Sequence, residues 1–248
     1  MVDLSDDQDA FGLLLQDYLH GEPGIELVER DDGFVGSAGN PSQYFAPFDT
    51  WPAHEQAAMV WARGRVLDIG CGAGRHALYL QGQGLDVVGI DISPRAIAVC
   101  RERGLREARV LDIAQVDRDT GPWDTVLLLG ANFGLAGSAS GTRALLARLD
   151  ESSAVGARII AESRDPSAIT DPIHTAYRAA NERHSRLPGQ LRIRIRYKQA
   201  ATPWFYYLFV SKQELERLLE GTGWRAVRYA DEAGEGGAYI ALIEKVGP

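Results

Sequence analysis

Residues 66–76 read VLDIGCGAGRH. An apolar run leads into an acid, Asp68, and then into three glycines at alternate positions, Gly70, Gly72 and Gly74. Glycines let a backbone turn tightly and approach a ligand closely. Where such a turn opens a helix, its unpaired N–H groups suit an anion. Asp91 stands 21 residues after Gly70, at the end of VVGID. An acid there can accept hydrogen bonds from both hydroxyls of a ribose. The chemistry is that of a cradle for a ligand carrying a ribose and an anionic group. A dinucleotide fingerprint, G-x-G-x-x-G, needs a glycine where Arg75 stands. The spacing is instead D-x-G-x-G-x-G, and Asp68 suits an ammonium group better than a pyrophosphate. Cys71, between two glycines, reads as a small buried filler.

The elements that must position these residues alternate from residue 64 onward. RVLDIG is a strand and GRHALYLQGQ a helix. LDVVGID is a strand, and SPRAIAVCRERG a helix with Ser93 as its cap, Pro94 at its first position and Gly104 at its end. ARVLDI, WDTVLLLG and ARIIAES read as further strands, with GTRALLARLDE a helix between the last two. WDTVLLLG is continuously apolar, as a strand covered on both faces should be. This alternation predicts a parallel sheet with helices on both sides.

The flanks read differently. DAFGLLLQDYLH has apolar residues at helical spacing, and IELVERDDGFV fits a hairpin turning at Asp32-Gly33. A short helix is expected from Pro52 to Trp61. Residues 164–190 break the alternation and read as an insertion. LRIRIRYK then alternates strictly and could pair with PWFYYLFV as an antiparallel hairpin. SKQELERLLEGTGW is a helix with Ser211 and Glu214 set as a capping box, and GGAYIALIEKV is a last strand.

Composition excludes little and agrees with this. The 248 residues are 45% hydrophobic and 24% charged, with a formal net charge of −8. That balance argues against a general nucleic-acid binder. No apolar run reaches membrane-spanning length. The acidic N-terminus is unlike a signal peptide. The two cysteines, Cys71 and Cys100, form no metal-spaced cluster, so no metal site is expected, and they suit a reducing cytoplasm.

Taken with these motifs, the sequence resembles the class I S-adenosylmethionine-dependent methyltransferases. VLDIGCGAGRH looks like their first motif and VVGIDIS like their second. ARVLDI resembles the adenine-side motif, WDTVLLLGANFG the fourth-strand motif, and SKQELERLLEGTGW the helix before the final strand pair. The resemblance covers roughly residues 60–163 and 203–246. It implies a Rossmann-like α/β fold, a seven-stranded, mostly parallel sheet with its last strand antiparallel and helices on both faces. Residues 1–248 then form a single methyltransferase domain. Residues 1–60 are an N-terminal helical extension or lid, and 61–163 with 203–248 the cofactor-binding core. Residues 164–202 add an inserted segment and β-hairpin cap after the fifth core strand. It implies S-adenosyl-L-methionine as cofactor, with Asp68 and the Gly70–Cys71–Gly72–Gly74 backbone on the methionine part. Asp91 with Ile92 would hold the ribose, Asp112 with Ile113 the adenine, and Gly130 would offer its carbonyl.

The implied activity is methyl transfer to an O or N atom of a small molecule by in-line displacement, aided mainly by positioning. A non-catalytic cofactor-binding protein and a nucleotide-dependent oxidoreductase are the alternatives; Arg75 disfavours the second. No catalytic base stands out. His54, His174, His184 and Tyr177 are candidates with no partner visible in sequence, and each fits a surface or packing role as well. His76 reads as a packing residue. Asn132 and Phe133 follow the fourth core strand, where they would face the substrate. Amino-methylating DNA enzymes carry two prolines after the Asn or Asp at this place; they are missing here, so nucleobase methylation is disfavoured. Tyr44 and Trp51 bound an aromatic loop that could close over substrate or simply dock the N-terminal segment. Residues 178–198 hold seven cations against one acid, Glu182. They suggest an anionic substrate, although Arg192, Arg194, Arg196 and Lys198 also fit a solvated strand face. Arg164, directly after the fifth core strand, is the better single candidate to grip a carboxylate.

Overall fold

A computed structural model of the chain describes residues 4–234 and 236–246. The sheet expected from the alternating pattern is present. Its seven strands are β3 (Arg65–Ile69), β4 (Asp86–Asp91), β5 (Glu107–Val110), β6 (Trp123–Leu128), β7 (Ser153–Arg164), β11 (Trp224–Asp231) and β12 (Ala238–Lys245). They run in the order β11-β12-β7-β6-β3-β4-β5. β4 and β5 pair in parallel, as do β6 and β7, whereas β12 is antiparallel to both β7 and β11. The order reverses beside β3, so the glycine turn after β3 opens at a switch point, where ligands of open α/β sheets bind.

The helices are α1 (Ala10–Leu19), α2 (Ala53–Met59), α3 (Arg75–Gly82), α4 (Pro94–Glu102), α5 (Ala139–Ser152), α6 (Pro172–Arg183) and α7 (Lys212–Leu219). Local chemistry explains their starts. Ser93 accepts from Ala96 N at the head of α4, with Pro94 at its first position. Ser211 and Glu214 close a reciprocal capping box on α7, an arrangement that satisfies two orphan donors.

A second sheet joins parts of the chain that the sequence kept apart. β1 (Glu26–Arg30) and β2 (Val35–Gly39) form the hairpin expected around Gly33, which has φ +89°. β8 (Gln190–Tyr197) pairs antiparallel with β1, with Leu27 opposite Arg196 and Arg30 opposite Ile193. The short β9 (Ala200–Ala201) and β10 (Phe205–Leu208) flank β8. Alternation along β8 holds: Ile193 and Tyr197 are buried, Arg192 and Arg196 exposed. The insertion is also more ordered than its composition suggests. Asp171 caps α6 and Pro172 starts it, and buried Asn181 donates to the carbonyls of Pro188 and Gln190.

The chain divides into two compact units. One holds Met1–Thr50, Leu67–Gln115 and Arg192–Phe205. Its interior includes Leu15, Ala73, Ala96 and Val99, with Phe11, Leu19, Tyr44 and Phe45 packed against them. The other holds Trp51–Val66, Val116–Leu191 and Tyr206–Pro248. There Trp123, Leu127, Leu128, Phe133, Ile159, Ile160 and Trp224 are buried. Each such aliphatic or aromatic side chain contributes roughly 1.5–3 kcal/mol when fully removed from water.

Candidate functional site

The glycine turn lies in the first unit. Gly70, Gly72 and Gly74 have φ of +68°, +55° and +77°, a region that side-chain-bearing residues avoid. Gly74 caps α3, and a Cβ there would sit 3.0 Å from Cys100 Sγ. Gly70 N and Cys71 N both donate to the carbonyl of Ile90, which ties the turn to the end of β4. Asp91 completes the tie. One carboxylate oxygen accepts from Gly72 N at 3.0 Å, the other from Ser93 N at 2.9 Å. Burial pushes its carboxyl up to about 6, with the N–H groups of Ser93 and Gly72 pulling the other way.

Asp68 stands beneath this turn and is 2% exposed. Its Oδ2 has no hydrogen-bond partner. Burial pushes its carboxyl up to about 7, opposed by a bond from Ala77 N–H and reinforced by the charge of Asp91. A buried, half-satisfied carboxylate is costly and calls for a cationic or donor partner.

The N-terminal segment covers the turn. The ring of Phe11 lies 3.6 Å from where a Cβ on Gly72 would be. Tyr44 meets Phe11 edge-on at 5.2 Å and donates its hydroxyl to Glu26 at 2.6 Å. Phe48 stacks on Tyr79 of α3 at 4.1 Å. Asp9 fastens α1 to α4. It accepts from Gly12 N, Ser93 Oγ and Arg95 N.

Ile92 follows Asp91 half-buried, and Asp112 and Ile113 lie half-buried just past β5. Asp112 accepts from Ala114 N at 2.8 Å, so its carboxylate also caps the turn it begins.

In the second unit, Gly130 ends the β6 segment with φ +67° and donates its N–H to Glu162 at 2.7 Å. Ala131 follows with φ +62°, unusual for a residue with a side chain. Its carbonyl accepts from Tyr207 at 2.6 Å. Asn132 starts a half-buried single turn, but Phe133 is 1% exposed and Trp51 4% exposed. Both rings are buried. His174 and Tyr177 lie half-buried on α6 and His184 is exposed at its end. His76 is buried in the first turn of α3, in the first unit.

The basic stretch is largely occupied. Arg194 and Arg196 both meet Glu29 of β1, Lys198 meets Asp17 and Glu22, and Arg192 and Arg194 lie over the Trp204 ring. Arg164, half-buried at the end of β7, makes no ion pair among the described residues. Sequence reasoning missed a further group. His54, Glu55 and Glu162 bring possible ligand atoms within 4.8 Å of one another.

A glycine turn with an acid beneath it and an acid at the next strand end is the arrangement that the sequence resemblance implies. Residues 66–151 match the family model described as "Methyltransferase domain". Over that third of its length the chain is similar to methyltransferases. Curated relatives match over parts of the chain. A putative methyltransferase of Bacillus subtilis, YqeM, is 28% identical over 87 residues, 34% of this chain and 35% of that protein. An uncharacterized methyltransferase of Schizosaccharomyces pombe is 39% identical over 70 residues, 26% of this chain and 48% of that protein. The chain thus spans half or less of the curated relatives it matches. Among solved structures, a Bacteroides fragilis S-adenosylmethionine-dependent methyltransferase in complex with S-adenosyl-L-homocysteine is similar over 98% of both chains. Its TM-score is 0.83 and its identity 24%. CalS10, an amino pentose methyltransferase from Micromonospora echinaspora, covers 80% of this chain and 94% of its own, with TM-score 0.51 and 16% identity.

S-adenosyl-L-methionine is the cofactor that the matching family implies, and the residues of the turn pass a test of fit. The unpartnered Oδ2 of Asp68 is an acceptor for an ammonium group. Asp91 retains acceptor capacity for ribose hydroxyls beyond its two backbone donors.

Proposed function

We propose that this chain is an S-adenosylmethionine-dependent methyltransferase that methylates an O or N atom of a small molecule. The observation that carries this reading is the buried Asp68 carboxylate, with one oxygen unpartnered, set under a glycine turn that is itself tied to Asp91. When bound, S-adenosyl-L-methionine supplies a methyl group on a sulfonium, already activated for in-line displacement.

The chain's own residues then have four tasks. Asp68 fixes the amino-acid end of the ligand by charge. Asp91 accepts from the ribose, held in orientation by Gly72 N and Ser93 N. Phe11 and Tyr44 keep water from the turn. The carbonyl of Gly130, whose N–H is fixed by Glu162, orients the reacting end. Positioning of this kind supplies several kcal/mol of barrier lowering, up to about 7–11 in ideal cases.

Support for a small acceptor comes from the net charge of −8 and from the pairing of the Arg194, Arg196 and Lys198 cations. These leave little positive surface for a phosphate backbone. Arg164 remains the side chain suited to an anionic acceptor. The two thiols, Cys71 and Cys100, are free, which suits a reducing cytoplasm. No helix among the described residues is long and apolar enough to cross a membrane.

Calorimetry with S-adenosylhomocysteine on the wild type and Asp91→Ala tests the cradle. Each lost charge-assisted bond costs roughly 1.5–3 kcal/mol, so the variant should bind at least tenfold more weakly. Equal affinities, or tighter binding of NAD by the wild type, refute the assignment. Methyl transfer from labelled cofactor into a metabolite extract then tests turnover.

A further inference from the structure

One group of side chains is not explained by a cofactor cradle. His54 and Glu55 open α2, and Glu162 lies near the carboxyl end of β7. An imidazole nitrogen and one carboxylate oxygen from each acid all lie within 4.8 Å of one another. His54 and Glu55 are each 6% exposed. An imidazole nitrogen beside two carboxylates is a donor set that suits a divalent cation. Independently, His54 Nε2 is buried without a hydrogen-bond partner. A buried ring nitrogen without a partner is costly, and metal ligation is one way an imidazole nitrogen is satisfied.

The geometry supports an ion. Ligand atoms held about 2.0–2.2 Å from a metal lie at most about 4.4 Å apart, so small rotations of these side chains bring all three into range. Glu162 is already oriented, because Gly130 N–H holds its Oε2 at 2.7 Å. A hydrogen bond behind a ligating carboxylate is usual in metal sites. The donor set, one imidazole and two carboxylates, suits Mn²⁺ or Zn²⁺ better than Ca²⁺, which takes oxygen alone. Three protein ligands leave a coordination position open. The cluster stands at the carboxyl end of β7, the edge of such sheets where ligands bind.

We propose that His54, Glu55 and Glu162 form a site for one divalent transition-metal ion, whose open coordination position takes an oxygen ligand. The metal site stands on these three residues and does not depend on the cofactor assignment. An anionic oxygen bound there is oriented and its charge stabilised.

The test uses the full chain, stripped of metal with chelator and titrated with MnCl₂. Free Mn²⁺ is followed by electron paramagnetic resonance, and Zn²⁺ content by mass spectrometry after dialysis. One ion per chain is expected. His54→Ala and Glu55→Gln should each weaken binding at least about tenfold, with unchanged circular dichroism. The isosteric Glu55→Gln decides the matter if His54→Ala does not fold. A wild type that takes up no stoichiometric Mn²⁺ or Zn²⁺ overturns the proposal, as do folded variants that bind as well as wild type. S-adenosylhomocysteine binding is measured separately, so failure of the cradle assignment leaves the metal result readable.

Discussion

On the proposed assignment of Asp68 to the ligand's ammonium group, cofactor binding is sensitive to pH near neutrality. Burial raises the Asp68 carboxyl to about 7 in the ligand-free fold, far above the usual aspartate value of about 3.9. A ligand ammonium binds the ionised form, so binding must expel the proton when pH is below about 7. The ionised fraction is about 0.6 at pH 7.2 and about 0.03 at pH 5.5, a loss of roughly twentyfold in apparent affinity. Asp91, raised to about 6, deepens the loss at the acid end. Above about pH 8 the ligand's own α-amino group deprotonates, so affinity peaks between roughly 7 and 8. The same shift has a stability sign. A folded-state value raised above the unfolded one stabilises the fold fully below about pH 4, and this contribution is lost as pH rises through about 7. Above that, the ionised carboxylate costs the empty fold on the order of a few kcal/mol. Asp68→Asn should therefore bind S-adenosylhomocysteine at least about tenfold more weakly, with a flattened acid limb. It should also unfold at a higher temperature than wild type at pH 8, the gap closing towards pH 4. Calorimetry in two buffers of different ionisation heat should show about half a proton released per ligand at pH 7. Affinity that is flat from pH 5.5 to 7.2, or an Asp68→Asn chain that is less stable at pH 8, would refute the reasoning.

Two structural predictions accompany it. Asp9→Ala removes the acceptor of Gly12 N, Ser93 Oγ and Arg95 N. A lost cap and stranded donors should cost about 2–3 kcal/mol in urea unfolding, and a loss under 0.5 kcal/mol would contradict the fastening role. Gly134→Ala would place a Cβ 2.5 Å from the Tyr207 ring and 2.9 Å from the Leu208 carbonyl. Overpacking of this kind costs about 1–3 kcal/mol. It should also displace the Tyr207 hydroxyl from Ala131, read as a changed tyrosine signal, whereas an unchanged melting temperature would show that the turn yields freely.

What could be read from the sequence was short-range. The glycine turn declares itself because three alternating glycines with positive φ admit few other conformations. Ser93 with Pro94, and Ser211 with Glu214, mark helix starts because each cap bonds within its own first turn. The apolar run 126–129 marks a strand covered on both faces. Asp171 and Pro172 carried the same kind of signal for α6. Its apolar period is weak because Asn181 is its one buried residue, and the segment reads as irregular.

Partners far apart in the chain were settled only by tertiary structure. Alternation in LRIRIRYK gives the face that turns inward but not the neighbour, which proves to be β1, with Glu29 meeting Arg194 and Arg196. That Phe133 is buried is likewise decided only by the fold. His54 looks partnerless because its neighbour Glu162 stands more than a hundred residues later. A sequence fixes each residue's own preferences, by sterics, propensity and local hydrogen bonds. Which charges meet, and which carboxylate is left without water or partner, depends on long-range packing that brings distant segments together and excludes solvent from between them.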